Sequence, residues 1–460
     1  EGYEYGSFHF LEPSFLHNYT DSTSKSGGAD GDDKNGKKNE ITVWTYPVYD
    51  KYEDELKQLI ADYEKEQTNI KIKYEVLSWE EGSKKFDVAL NAGTPPDIYF
   101  HAVNGQIVNS GLALELDKYM TQEMKDDFYP GVLDLGKVQG KQYGIPLYTE
   151  VWTFGGNKRI FEEEGIDYKK IQKEGWTWDE FMEIGKKLTK KLPNGSTQYG
   201  FVTDGTSNDF LEMISRNAGL LDVVDKDGKF IWNDDRILKT LQFTAELIKE
   251  GVMPKETVSL NPQKRTDMFY QSKAAMLSKA AMLSKAFPYY DVLLRQRNKD
   301  IDEGKSKGEK IEFILLPVPH EKNSEPKTTV VADGYVAFKQ KNDKGEEHAK
   351  NTFDVLEYLT GSKAGNSANQ LAGNFVRKSQ AKAFEGKGIG NPDNQNVAAE
   401  LFKQAVHPAD LFVDASVGEK IKQFKDQVQK PSYQAVLNGE KTPEQAFEDF
   451  KTKGKQIFRK

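Results

Sequence analysis

From residue 41 onward the chain alternates between two hydrophobic periods. Ile41 and Val43 fall on one side of a strand of period two, and Pro47 ends it. Tyr52, Leu56, Leu59, Ile60 and Tyr63 then recur at helical spacing, with Asp50 and Glu53 placed as a capping box. The period returns to two at Ile70, Ile72, Tyr74 and Val76, after which Ser78 with Glu81 opens a helix carrying Phe86, Val88, Ala89 and Leu90. This β-α-β-α order predicts a mostly parallel sheet covered by helices. Ligands of open α/β sheets bind beyond the carboxyl ends of the strands, here the loops from Trp44 to Tyr49 and from Phe100 to Asn104. Those loops offer Trp44, Tyr46, Tyr49, His101 and Asn104 as candidate ligand-binding side chains.

Farther along, Gly140 and Gly144 flank Tyr143 as a turn, and Ile145 to Tyr148 reads as a short strand that ends at a cleft. Trp152 and Phe154 follow it, before Gly155, Gly156 and the capping candidate Asn157. Thr177 and Glu180 form a capping box bracketed by Trp176 and Trp178, for which packing is the expected role. Asp225 to Gly228 lies between Val223-Val224 and Phe230-Ile231 and reads as a hairpin turn, since the remaining ligands of a calcium loop are missing. The hexapeptide Ser272–Leu277 recurs unchanged as Ser278–Leu283, and Ser284-Lys285-Ala286 begins a third copy. Six residues turn a helix by about 600°, whereas they keep one face of a strand. One copy is therefore expected to end a helix and the other to form a strand.

At 460 residues the chain is too long for one core and implies two or more domains. Its net charge of −8 comes from 64 Lys plus Arg against 72 Asp plus Glu, well mixed, so no basic block points to nucleic acid. Cysteine is absent, which suits an exported protein and does not exclude a cytosolic one. No apolar run approaches the ~20 residues that span a bilayer. Residues 1–16 are aromatic without period, and 18–40 are a Ser, Gly, Asp, Asn and Lys mixture that buries too little apolar area to fold. Residues 1–40 thus read as a leader or tether.

The segment from Gly140 to Ile166, GKQYGIPLYTEVWTFGGNKRIFEEEGI, resembles the family 1 extracellular solute-binding proteins of sugar ABC transporters, the maltose-binding protein relatives. Their pattern there is a GKxYGxPxY strand, an aromatic segment, then NKxxFEEEGI. Four more segments agree in order: Ile41 to Trp44, Asn91 to Ile98, Trp176 to Phe181, and Lys273 to Leu277. The resemblance implies an α/β, two-lobed periplasmic-binding-protein-like fold of type II, with the ligand cleft between the lobes. Residues 41–149 plus 334–376 would form lobe one, and 150–333 plus 377–460 lobe two. Hinges are expected near Tyr148, Asp333 and Val376. It implies an oligosaccharide ligand, an ABC permease as partner, no cofactor, a monomer, and a cell-surface lipoprotein of a Gram-positive bacterium or else a periplasmic protein.

A sugar presents an apolar face that stacks on aromatic rings and a rim of hydroxyls that seeks carboxylates and amides. Tyr148, Glu150 and Trp152 follow the crossing strand, and Phe287, Tyr289 and Tyr290 follow the Ala-Met-Leu segment, where the family places stacking aromatics. Core packing is the plainer role for each ring alone. Asp333 precedes Gly334 at the expected second crossing. Arg377 matches a cleft loop of the family, although Phe375-Val376 replaces its proline-containing step. Enzyme signatures are weak. Gly131, Gly136 and Lys137 have P-loop spacing but lead into Val138 where Ser or Thr is needed, Gly386, Gly388 and Gly390 lack a following helix, and no HExxH or Gly-x-Ser-x-Gly motif occurs. A glycosidase or lyase stays open as an alternative, because paired carboxylates leave no local motif, as does a non-transport adhesin.

Overall fold

The computed structural model describes residues 38–49, 51–78, 81–271, 278–406, 409 and 413–459. The first elements are β1 (Asn39–Thr45), α1 (Tyr52–Glu66), β2 (Ile70–Val76), α2 (Gly82–Ala92), β3 (Ile98–Phe100) and α3 (Gly105–Asn109). Later elements that bear on the site are β4 (Gly144–Asn157), α4 (Trp178–Leu188), α5 (Asp209–Arg216), α6 (Pro262–Tyr270), β5 (Met282–Ala286) and α7 (Tyr289–Asp302). After them come β6 (Phe313–Leu316), β7 (Thr328–Ala337), α8 (Ala415–Phe424) and α9 (Lys430–Leu437).

The alternating periods place these elements well. Ile41 and Val43 of β1 are fully buried, and α1 buries Tyr52, Leu56, Ile60 and Tyr63, spaced to line one face. β1 pairs in parallel with β2 and β3, as the β-α-β-α order requires. Asn39 and Glu40, read as tether in the sequence, already pair with Ile70 and Lys71. Thr177 and Glu180 close their capping box at α4, and the indoles of Trp176 and Trp178 donate to the carbonyls of Pro317 and Pro319. Asp225 to Gly228 makes a turn between the bridged residues Val224 and Phe230.

Other expectations are corrected. The N-cap of α1 is Lys51, without a side-chain hydrogen bond, and Asp50 lies outside the described residues. Ser78 Oγ accepts from the Glu81 amide, but α2 itself starts without a side-chain cap, and Val88 is 71% exposed, on the solvent side of the helix. The strand expected to stop at Tyr148 instead continues to Asn157, buried along its whole length. Asn157 is the N-cap residue of the next helix but gives no capping hydrogen bond. The first copy of the repeated hexapeptide lies outside the described residues, and the second supplies Lys279–Ala280 and the start of β5.

Two hydrophobic cores result. One draws on Ile41 to Tyr148 with Tyr335 to Val376, and the other on Val151 to Val330 with Ala398 to Phe450, joined by Leu135. The sheet order β5-β4-β7-β3-β1-β2, with β6 also on β4, shows how the two lobes are joined. β4 runs antiparallel to β7 from Gly144 to Trp152, in the register Tyr148 opposite Asp333 and Glu150 opposite Val331, then continues against β5 and β6. A register shift falls between Asp333 and Gly334, at the passage from one core to the other. A third strand of chain arrives alongside, where Asn374 bridges Thr149 through backbone hydrogen bonds of 2.9 and 3.3 Å.

Candidate functional site

The side chains of Tyr148, Glu150 and Trp152 alternate onto one face of β4, because strand side chains repeat every two residues. Asp333 lies opposite Tyr148 on β7, diagonal to Glu150, a separation long side chains span. The Tyr148 hydroxyl donates to Asp333 Oδ2 at 3.1 Å. Glu150 is 1% exposed, and neither of its carboxylate oxygens has a hydrogen-bond partner among the described residues. The backbone at Gly373 covers its flank so closely that a Cβ there would stand 3.3 Å from Glu150 Cγ. Trp152 is 7% exposed and its indole N–H is likewise unpartnered.

Lys285 approaches from β5 with its Nζ 4.2 Å from the centroid of the Trp152 ring, and it pairs with Asp209 at the start of α5. Its backbone φ of 49° is in the left-handed region, within the irregular step between Leu283 and Ala286, and this strained turn re-aims the side chain. Behind it, Arg265 of α6 pairs with Asp204 at 3.4 Å and donates to the Tyr290 hydroxyl at 2.9 Å. The buried hydroxyl of Tyr433 on α9 faces the charges of Asp204 and Asp209 without a hydrogen-bond partner among the described residues. Sequence reading missed Lys285, Asp204, Asp209, Arg265 and Tyr433. The start of the third repeat copy was the only local sign at Lys285.

Electrostatics follow from this burial. Desolvation, aided by the charge of Asp333, pushes the Glu150 carboxyl well above the ordinary range. Burial also raises Asp333 from 3.8 to about 7, with the Tyr148 hydrogen bond and Lys285 pulling the other way. The folded chain therefore holds a proton on Asp333 that the unfolded chain has released between those values. Bound protons then favour the native state, so stability contributed here falls as pH rises through the window, by up to ~1.4 kcal/mol per unit. Thermal unfolding of Asp333→Asn should accordingly lose part of the decline seen in the parent between about pH 5 and about pH 7. Parallel pH profiles for the two proteins would contradict the assignment.

The other candidates are placed elsewhere or serve packing. Tyr46 is buried with its hydroxyl 2.6 Å from that of Tyr99, and Tyr49 is buried edge-on to Tyr52 with its hydroxyl on Glu55. The ring of Trp44 is half-buried beneath Lys85 Nζ at 4.6 Å. Phe287 packs edge-on to Tyr290, whose hydroxyl is engaged by Arg265, while Tyr289 is half-buried and touches both cores. Arg377 is committed to Glu357 through contacts of 2.6 and 2.8 Å and lies over the Phe128 ring, which makes it part of a structural ion pair. His101 and Asn104 line a separate pocket closed on its far side by Gly418, Glu419 and Lys422 of α8. Asn104 also caps α3 by accepting from the Ile107 amide, and His101 stacks on Tyr99.

Comparison with known proteins places this geometry. The sequence profile described as "Bacterial extracellular solute-binding protein" matches residues 49–366. The arabinooligosaccharide-binding protein of Bacillus subtilis is 25% identical over 239 residues, 50% of this chain and 51% of that protein. The diacetylchitobiose binding protein DasA of Streptomyces coelicolor is 27% identical over 259 residues, 53% and 55% of the two chains. This chain thus spans about half the length of the curated relatives it matches. Among solved structures, the maltose/maltodextrin-binding domain MalE of Bdellovibrio bacteriovorus bound to maltotriose superposes with a TM-score of 0.68 at 20% identity, covering 92% of this chain and 100% of that one. A sugar transporter from Arthrobacter chlorophenolicus with bound laminaribiose gives 0.68 at 20% identity, over 91% and 100%. The fold is the two-lobed, periplasmic-binding-protein-like one.

Proposed function

The chain belongs to the bacterial extracellular solute-binding proteins, and from that premise we propose that it captures an oligosaccharide outside the cytoplasmic membrane and presents it to an ABC permease. The observation that carries this reading is the pair Glu150 and Trp152. Burying a carboxylate and an indole N–H without partners is costly, and a folded chain retains such groups where a ligand supplies the missing hydrogen bonds. An acceptor-rich carboxylate beside an aromatic plane is the combination that a pyranose needs. The names of the relatives, binding proteins for arabino-oligosaccharides and diacetylchitobiose, support a sugar as the ligand class.

In this proposal lobe one comprises 41–149 with 334–376, lobe two comprises 150–333 with 377–460, and the ligand sits where β4 and β7 pass between them. The side chains of Tyr148, Glu150, Trp152, Asp333 and Lys285 would contact it. Closure about the three crossings would bury the sugar and shape the surface that the permease reads, converting binding energy into a population shift. The protein would act as a monomer, with the polar segment before β1 as the tether of a lipid-anchored protein at the cell surface. It binds without turnover, so incubation with a panel of oligosaccharides should yield binding heat for at least one and no new product on chromatography. Any protein-dependent hydrolysis would overturn the proposal in favour of a carbohydrate-active enzyme.

A further inference from the structure

The charges around the site do not balance. Four carboxylates, those of Glu150, Asp333, Asp204 and Asp209, meet two cations, Lys285 and Arg265. Lys285 is committed to Asp209 and to the face of Trp152, and Arg265 to Asp204 and Tyr290. The excess of two negative charges falls on Glu150 and Asp333, which stand diagonal to one another at the crossing. Asp333 accepts a hydrogen bond from neutral Tyr148, and Glu150 has none. Two neighbouring buried carboxylates with no cation of their own are stable only if protons or an external cation neutralise them.

We infer that the ligand of this cleft carries a cationic nitrogen seated between Glu150 and Asp333, which makes an oligosaccharide with free amino groups the substrate class. A hydroxyl of a neutral sugar supplies one donor and no charge, so it leaves the carboxylates to keep their protons. An ammonium group supplies three donors and one of the two missing charges, and charge-assisted hydrogen bonds are about twice as strong as neutral ones. The Trp152 ring adds a surface that attracts a cation as well as a sugar face. This inference rests on the sugar-binding reading above and narrows it.

The test is titration calorimetry of the intact protein with glucosamine oligomers, their N-acetylated counterparts of equal length, and neutral glucose oligomers. The free-amine series should bind at least about tenfold more tightly than the other two. In Glu150→Gln that preference should shrink to about threefold or less, while Asp179→Asn, on the exposed first turn of α4, should retain it. Repeating the titration in buffers of different ionisation enthalpy should show proton release as the ammonium group replaces one of the protons held by the two carboxyls. Equal or tighter binding of the acetylated or neutral oligomers overturns the inference and leaves the sugar-binding reading standing. Failure of all three series to bind overturns both.

Discussion

Trp152→Ala should lower both the stability of the unliganded protein and, if the proposed function holds, its affinity for the oligosaccharide. The ring belongs to the second hydrophobic core and is 7% exposed, so its removal leaves a cavity that costs about 3 to 5 kcal/mol of folding stability. The same ring has an unpartnered N–H and a cation on its face, and the loss of such a buried aromatic anchor costs about 2 kcal/mol or more of binding. Trp152→Phe separates the two effects. It restores most of the packing while still lacking the N–H, so the melting temperature should recover further than the affinity. Thermal unfolding beside titration calorimetry reads both quantities. Unchanged affinity in the Ala variant would assign Trp152 to the core alone.

The second large effect is expected at Gly334, where the chain passes from one core to the other. A Cβ at this position would lie 2.1 Å from the Ile145 carbonyl oxygen and 2.8 Å from Pro146 Cα. Both obstacles are backbone of the paired strand, so no rotamer change relieves the clash. β4 and β7 would have to part at the crossing, breaking ladder hydrogen bonds that order both lobes. Gly334→Val should therefore destabilise the protein by more than about 3 kcal/mol, seen as a collapse in soluble yield or a large fall in melting temperature. Gly388→Ala is the control, since a Cβ there meets nothing within 4 Å. That change should be neutral or stabilising by a few tenths of a kcal/mol. Normal folding of Gly334→Val would mean that the two strands do not cross as described.

The parts of the fold that could be read from sequence are those where one face is buried and the other is wet. β1, α1 and β2 show their periods plainly because Lys, Glu and Asp occupy their solvent sides. β4 could not be followed past Tyr148 for the opposite reason. Every residue from Gly144 to Asn157 is buried, so no polar alternation marks the strand's continuation through Trp152 and Phe154. Val88 was misplaced because a single apolar residue on a wet helix face carries no signal of its own.

The site was legible to a similar degree. Tyr148, Glu150 and Trp152 are brought together with Asp333, since strand spacing and the position of Gly334 were both visible locally. Arg377 could not be interpreted without its partner Glu357, which is 20 residues earlier on another helix. Lys285 and Asp209 meet across 76 residues, and the strained backbone that aims Lys285 has no signature in a repeated Ser-Lys-Ala. Contacts of that kind depend on tertiary structure, and sequence spacing gives no access to them.

The claim that the ligand is held between two lobes that close over it is tested most directly by small-angle scattering of the protein titrated with an oligosaccharide that calorimetry shows to bind. In the proposed closure, the three crossings near Tyr148, Asp333 and Asn374 would act as hinges for a rigid-body rotation. The radius of gyration should decrease in step with occupancy and level off at saturation. A radius that stays constant while the sugar binds stoichiometrically would contradict closure and place the ligand on a rigid receptor.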